Sequence, residues 1–259
     1  MTHVSSLTGR RLAGADELHE AAELYTRVFR YEPKRVNLNP LLVQAIIRNG
    51  GSAVGVYDGE RIVGFAYGFA GRDRDRVDFH YSQAAVVAPE YQGQGIGRRL
   101  KLLQRDVALE WGHERMRWTF DPLIARNGHF NLDTLGARGL GFHPDYYDRA
   151  DTDRVMVEWD LTTERPAEAS AERAAPTPPA LGAEDWGAIV ADGDRAWVAV
   201  PREAPPFGSG VRDRVASRVR ASLDGLLRDG RVLVSCVVAN DNTAAYLVQA
   251  SGLAEAGES

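Results

Sequence analysis

The spacing of hydrophobic residues changes period along the chain, and each change marks an element. Between Asp16 and Phe29 the apolar positions Leu18, Ala21, Ala22, Tyr25 and Val28 fall on one helical face. Asn39-Pro40 reads as a cap followed by proline at the first helical position, opening a second helix that Gly50-Gly51 ends. Two strands follow, Ser52 to Tyr57 and Arg61 to Ala70. Asp58-Gly59 reads as the hairpin turn between them, because both residue types tolerate positive φ. A charged connection from Gly71 to Arg76 leads into a third strand, Asp78 to Val87, increasingly apolar toward its end. Ile96 to Gly112 returns to helical period, with Leu100, Leu103, Val107 and Trp111 on one side and Arg98, Arg99, Arg105 and Asp106 on the other. Arg115 to Phe120 reads as a buried strand, Asn127 to Leu135 as a short helix stopped by Gly136, and Val155 to Leu161 as another strand.

Residues 1–161 therefore form a main domain. From Thr162 to Pro179 the period disappears into an Ala-, Glu- and Pro-rich stretch, so 162–180 reads as a linker. Residues 181–250 hold a strand (Ala196 to Val200), a helix (Val211 to Leu227) and two strands (Arg231 to Ala239, Ala244 to Gln249) around an Asn240-Asp241-Asn242 turn. A β-α-β-β unit of about 70 residues buries too little to stand alone, so it is expected to pack on the main domain. Residues 251–259 read as a frayed tail.

Charge narrows the function. With 36 acidic against 31 basic residues and a net charge of −5, the chain lacks the basic surface of a sequence-independent nucleic-acid binder. The bases are arginines except for Lys34 and Lys101. The single cysteine, Cys236, sits in the apolar run Val232 to Val238 and reads as a buried strand residue. No multi-cysteine metal site is possible, and His113 and His143 lack partners at ligand spacing, so no metal is expected. The first residues hold no apolar leader and no run of about 18 apolar residues occurs, which leads to the expectation of a cytoplasmic protein.

The chemistry concentrates in Ala85-Val-Val-Ala-Pro-Glu-Tyr-Gln-Gly-Gln-Gly-Ile-Gly-Arg-Arg-Leu100. A strand runs into a turn, glycines alternate at 93, 95 and 97, and a helix begins. Glycine lets successive amides point into one concavity, and a helix N-terminus adds unpaired donors and partial positive charge. Together these make a pyrophosphate cradle, to which Arg98 and Arg99 can add charge. A P-loop is excluded because Gly97 precedes Arg98-Arg99 rather than Lys and a hydroxyl residue. A dinucleotide fingerprint is excluded because the third glycine comes one residue early and the strand is not the first.

The remaining pattern, Gln/Arg-x-x-Gly-x-Gly/Ala, is filled by Gln92, Gly95 and Gly97, and it resembles the acetyl-CoA motif of the GNAT superfamily N-acetyltransferases. Val87, Pro89 and Tyr91 extend the likeness upstream. Trp118-Thr-Phe-Asp-Pro-Leu123, Asn127, Phe130-Asn131 and Leu135-Gly136 are similar to a sparsely characterised subgroup, as are Asp153 to Leu161 and the later strand ending at Val200-Pro201. The resemblance spans about residues 10–161 and implies an α/β (α+β) fold. Its mixed, mostly antiparallel central sheet would be flanked by helices, with the small C-terminal unit packed on it. It implies acetyl-CoA as co-substrate, with pantetheine along Ala85, Val86 and Val87, and the diphosphate over Gln92, Gly93, Gln94, Gly95, Ile96, Gly97 and Arg98. The amide of Val86 or Val87 would serve as oxyanion donor. Asn127 would lie near the pantetheine arm; as a residue type it is equally a helix cap.

The implied activity is transfer of an acetyl or similar short acyl group to an amine acceptor, a small molecule, by direct attack in a ternary complex. The tyrosine that usually acts as acid in this family is replaced at the corresponding position by Leu132. Candidate catalytic groups are His80 and Tyr81 on the central strand and Tyr147 beside Tyr146; Asp121 and His129 read more readily as a strand end and a helix surface. The missing tyrosine keeps open an alternative, a catalytically silent acyl-CoA-binding sensor or partner module. Arg212, Arg214, Arg218 and Arg220 share one helix, read as a solvated face or as a patch for an anionic acceptor. Nucleic acid and membrane are not expected partners, and a homodimer is plausible because open sheet edges often pair.

Overall fold

The computed structural model describes residues 7–29, 38–163 and 175–251. Most of the composition-based linker (residues 164–174) and most of the tail (252–259) lie outside the described residues. The chain divides into two compact units, one of Met1–Arg117 with Asp160–Thr162, the other of Trp118–Trp159 with Thr163–Ser259.

In the first unit the strand order is β1 (Thr8–Arg11), β2 (Ser52–Asp58), β3 (Arg61–Arg72), β4 (Asp78–Val87) and β5 (Arg115–Phe120), which begins here. All neighbours are antiparallel except β4 and β5, which run parallel. One face carries α1 (Ala15–Phe29) and α2 (Pro40–Arg48), whose Leu18, Ala21, Leu24 and Val43 pack on Phe65, Tyr67 and Val86. The other carries α3 (Ile96–Glu110), whose Ile96, Leu100 and Val107 pack on Val54, Val56, Val63 and Ala66. Asn39 caps α2 through its side chain, as its place before Pro40 predicts. The β2–β3 hairpin differs from expectation. Asp58 pairs with Arg61, so Gly59 and Glu60 form the loop, with Gly59 alone at positive φ (+61°). Glycine at the first of two loop positions is the other turn that matches strand twist.

A β-bulge at Gln83 organises β4. Gly68 pairs with Ser82 but Tyr67 pairs with Ala84, leaving Gln83 as the extra residue. Because side chains alternate along a strand, the extra residue reverses which positions face which side. His80 and Ser82 face α3 before it; Ala84 and Val86 face α1 and α2 after it. Gly68 permits the close approach: a Cβ there would lie 2.4 Å from the Tyr81 carbonyl oxygen and 2.5 Å from His80 Nε2.

In the second unit the strand order is β7 (Arg154–Asp160), β6 (Arg138–His143), β10 (Arg231–Val238), β11 (Thr243–Ala250), β9 (Arg195–Pro201) and β8 (Ile189–Asp192), all antiparallel. Two helical elements accompany it: α4 (Ala125–His129), which continues as a π-helical turn over Phe130–Thr134, and α5 (Gly210–Arg228). β6 and β8 are absent from the periodicity. β6 contains Gly139 and Gly141, and β8 is an edge strand that exposes Ile189. Gly139 is required where β6 meets β10, since a Cβ would come within 2.8 Å of Leu233 Cβ. Composition places the division near 162, whereas the contacts place it after Arg117, because α4 and β6 pack on β10 and β6 also packs on α5.

Two of the arginines of α5 are paired internally, so the helix is not a uniform solvated face. Arg212 is 3% exposed, donates to Asp121 Oδ2 at 2.9 Å and to the Pro205 carbonyl, and lies over the Phe207 ring at 3.9 Å. Arg220 bridges Asp145 and Asp153. Asp121 thus belongs to a buried ion pair. Removing one member strands the other charge, so Asp121→Ala is expected to cost about 3–5 kcal/mol in chemical denaturation; a loss below about 1 kcal/mol would show that the pair is not buried in solution.

Candidate functional site

The glycine turn leaves its amides without acceptors among the described residues. Ala88 N–H bonds to the Val63 carbonyl at 2.9 Å, and Pro89–Tyr91 form one 3-10 turn. That turn is pinned to the β2–β3 hairpin: Tyr91 donates to Asp58 at 2.5 Å and Arg61 pairs with Glu90 at 2.5 Å. Gly93 and Gly95 then adopt φ of +77° and +75°, values glycine reaches without the penalty borne by other residues. A Cβ at either would meet nothing within 4 Å, so the loop borders open space. The first amide after Gln92 to bond within the chain is that of Arg99, to the Gly95 carbonyl; those of Gly93, Gln94, Gly95, Ile96, Gly97 and Arg98 make no such bond. Six consecutive donors therefore surround the N-terminus of α3, where the helix dipole adds positive potential.

β4 supplies a second open element. Within this unit its ladder with β5 consists of His80↔Met116 and Tyr81↔Arg117, leaving residues 82–87 beyond it. Since the Ala88 amide points to β3, alternation turns the amide of Val86 to β3 and those of Ala85 and Val87 to the open edge. Of the two expected oxyanion donors, Val87 has the outward amide. Gln92 Nε2 reaches the Val87 carbonyl at 3.4 Å, linking loop and strand edge. Arg98 makes no hydrogen bond among the described residues, whereas Arg99 is occupied, donating to the Leu7 carbonyl at 2.5 Å and packing against Gly9.

Two of the expected catalytic residues, both in the first unit, do not converge. His80 and Tyr81 are neighbours on a strand and face opposite sides: Tyr81 stacks on Phe69, ring centres 5.2 Å apart, while His80 points toward α3. His80 is fully buried, with Nε2 2.8 Å from Ser52 Oγ. Burial, then the nearby His113 and Lys101, push its pKa down to about 3, so it stays neutral near pH 7 and is a poor proton acceptor. Tyr147 lies in the second unit, exposed, beside Tyr146 and Arg154. Asn127 also lies there, but inside α4. The helix begins at Ala125 with Ile124 as its cap, so Asn127 is not a cap. Leu132 is buried.

His129 and Cys236 have structural surroundings. His129 Nδ1 meets the Cys236 carbonyl at 3.1 Å and Asp133 at 3.3 Å, and hydrogen bonding to Asp133 raises its pKa. Asp133 in turn accepts from Ser235 Oγ and the Cys236 amide, tying the π-helical turn to β10. Burial pushes the Cys236 thiol up, away from the thiolate form a nucleophile needs. Sequence alone could not reveal the polar set Ser52, Ser82, Lys101 and Gln104 around His80; a lysine among arginines was the available signal.

Residues 16–127 match the family model described as the acetyltransferase (GNAT) family. That stretch, somewhat under half of the chain, is thus similar to a GNAT acetyltransferase domain. The fold is similar to that of YncA from Salmonella typhimurium, solved with its cofactor acetyl-CoA, at 19% identity and a TM-score of 0.50, covering 61% of this chain and 96% of that one. It is also similar to aminoglycoside 6′-acetyltransferase type Ii, at 14% identity and a TM-score of 0.50, covering 61% and 99%. At such identities the likeness is one of fold, and it bears out the GNAT fold that the glycine motif implied. No curated protein sequence matches the chain. Among the described residues no helix is long and apolar enough to cross a membrane, and no group of three or more His, Cys, Asp or Glu could hold a metal ion.

The His80 environment makes a pH prediction for the first unit. An unfolded histidine takes up a proton near pH 6.5, the folded one only near 3, so between these values the unfolded state binds more protons and stability falls as pH falls. Denaturation across this window should show a loss on the order of a few kcal/mol, reduced in His80→Gln, which keeps an acceptor for Ser52. An identical acid limb in both proteins would contradict the buried neutral imidazole.

Proposed function

We propose that this protein is an acetyl-CoA-dependent N-acyltransferase that acts on a small-molecule amine by direct attack in a ternary complex. The observation that carries the reading is the run of six unpaired amides from Gly93 to Arg98 beside an open strand edge. The amides and Arg98 suit the diphosphate of the coenzyme, and the outward groups of Ala85 and Val87 suit the amide-bearing pantetheine arm, bound as an added strand. When bound, acetyl-CoA supplies the thioester. The chain's contribution is to align it and to offer the Val87 amide to the developing oxyanion. The string Trp118 to Leu123 supports membership of the sparsely characterised subgroup it resembles.

With His80 held neutral and Leu132 in place of the family tyrosine, the amine must arrive uncharged or lose its proton to water or to the acceptor's own surroundings. The same two observations favour a second reading, a silent acyl-CoA-binding module. Thiol release from acetyl-CoA over a panel of amines separates the two: turnover on at least one amine supports the enzyme, and tight binding without turnover on any supports the module.

Millimolar acetyl-CoA should raise the melting temperature by several degrees, since a ligand that binds only the folded state stabilises it. Gly95→Val forces a β-branched residue to φ +75° and places its side chain where the ligand would lie. It should weaken coenzyme binding by at least about tenfold, and cost about 1–2 kcal/mol of stability. Equal melting shifts for both proteins would remove the loop from the binding site.

A further inference from the structure

The two halves of the coenzyme site are joined through the interior by a chain of hydrogen bonds. Lys101 Nζ donates to Ser82 Oγ at 2.8 Å, Ser82 Oγ to Gln104 Oε1 at 2.8 Å, and Gln104 Nε2 to Ser52 Oγ at 3.2 Å. The Ser52 hydroxyl lies 2.8 Å from His80 Nε2. All five side chains belong to buried residues. The donors run in one direction. An amide nitrogen can only donate, so Ser52 accepts from Gln104, and the direction of its bond to His80 Nε2 is set by the imidazole tautomer.

The placement of the chain is what gives it meaning. Lys101 and Gln104 lie in the second and third turns of α3, the helix whose first turn holds the last three of the six unpaired amides. His80 and Ser82 immediately precede the Gln83 bulge, after which β4 presents its open edge. Apolar contacts alone hold α3 against the sheet but tolerate sliding; directional bonds between unlike groups do not. The residue choice agrees. This chain has 31 basic residues, of which two are lysines, and one of them occupies this buried place. A guanidinium stays charged, while an amine can shed its proton, and burial holds the Lys101 amine well below its usual range.

We propose that Lys101, Ser82, Gln104, Ser52 and His80 are positioning residues that fix the register between the amide ring at the start of α3 and the open edge of β4, so that one ligand can engage both. This inference rests on the coenzyme site proposed above. It assigns these groups no contact with the ligand; they act through the helix and the strand that make the contacts.

Two calorimetric probes test it on the full chain: acetyl-CoA, which would span ring and edge, and its 3′-phosphorylated ADP fragment, which would touch the ring alone. Ser82→Ala and Lys101→Met remove links while keeping bulk, and thermal melting checks that each folds. In both variants acetyl-CoA affinity should fall about tenfold or more while fragment affinity stays within about twofold. If acetyl-CoA affinity is unchanged, or both probes weaken together, the positioning role is overturned. If Lys101→Met does not fold, Ser82→Ala, which loses one hydroxyl, decides. If the unmodified protein binds neither probe, the coenzyme reading itself fails, a result distinct from a variant that leaves the two affinities in their original ratio.

Discussion

Backbone amides that leave a strand and have not yet entered a helix must find an acceptor or remain in contact with one outside the chain. From Gly93 through the first turn of α3 to Arg98, six of this protein's amides find no acceptor among the described residues. The rest of the first unit serves that arrangement. Tyr91, bound to Asp58, and Glu90, bound to Arg61, brace the turn from one side. Gly64 lets α3 sit close on β3, where a Cβ would come within 2.6 Å of Ile96. The bulge at Gln83 reverses the facing of β4, so that the strand packs its polar residues under α3 and its later apolar ones under α1 and α2.

Much of this was legible in the sequence. Alternating glycines directly before an amphipathic helix have few uses other than a ring of amides, and the helices and strands from α1 to β5 follow from their period, though β1 does not. The bulge was not legible, because Ser82-Gln83-Ala84 has no unusual composition and its cause lies in Gly68 on the neighbouring strand. Nor was the character of His80. Its type suggested a proton carrier, whereas burial beside Ser52, itself bound to Gln104, makes it a neutral interior group. Arg98 and Arg99 are adjacent and chemically alike, yet only the backbone path of β1 assigns Arg99 to the Leu7 carbonyl.

The second unit shows the same limit from another side. Its helix α5 reads as an arginine-rich surface, but Arg212 and Arg220 are matched by Asp121, Asp145 and Asp153 from distant parts of the chain. The segment after β5 begins its helix at Ala125 rather than at Asn127 and passes into a π-helical turn, which Asp133 anchors to β10. π-turns occur often at functional sites, but here the anchoring accounts for it.

The amide ring can be observed one residue at a time. Backbone amide resonances of the isotopically labelled protein, followed through a titration with acetyl-CoA, report on each N–H directly. Saturable shifts concentrated in Gly93 to Arg98, with Ala85 and Val87 moving and Val86 moving less, are the predicted result. Shifts absent from the glycine turn at saturating coenzyme, or confined to other parts of the chain, would contradict the account.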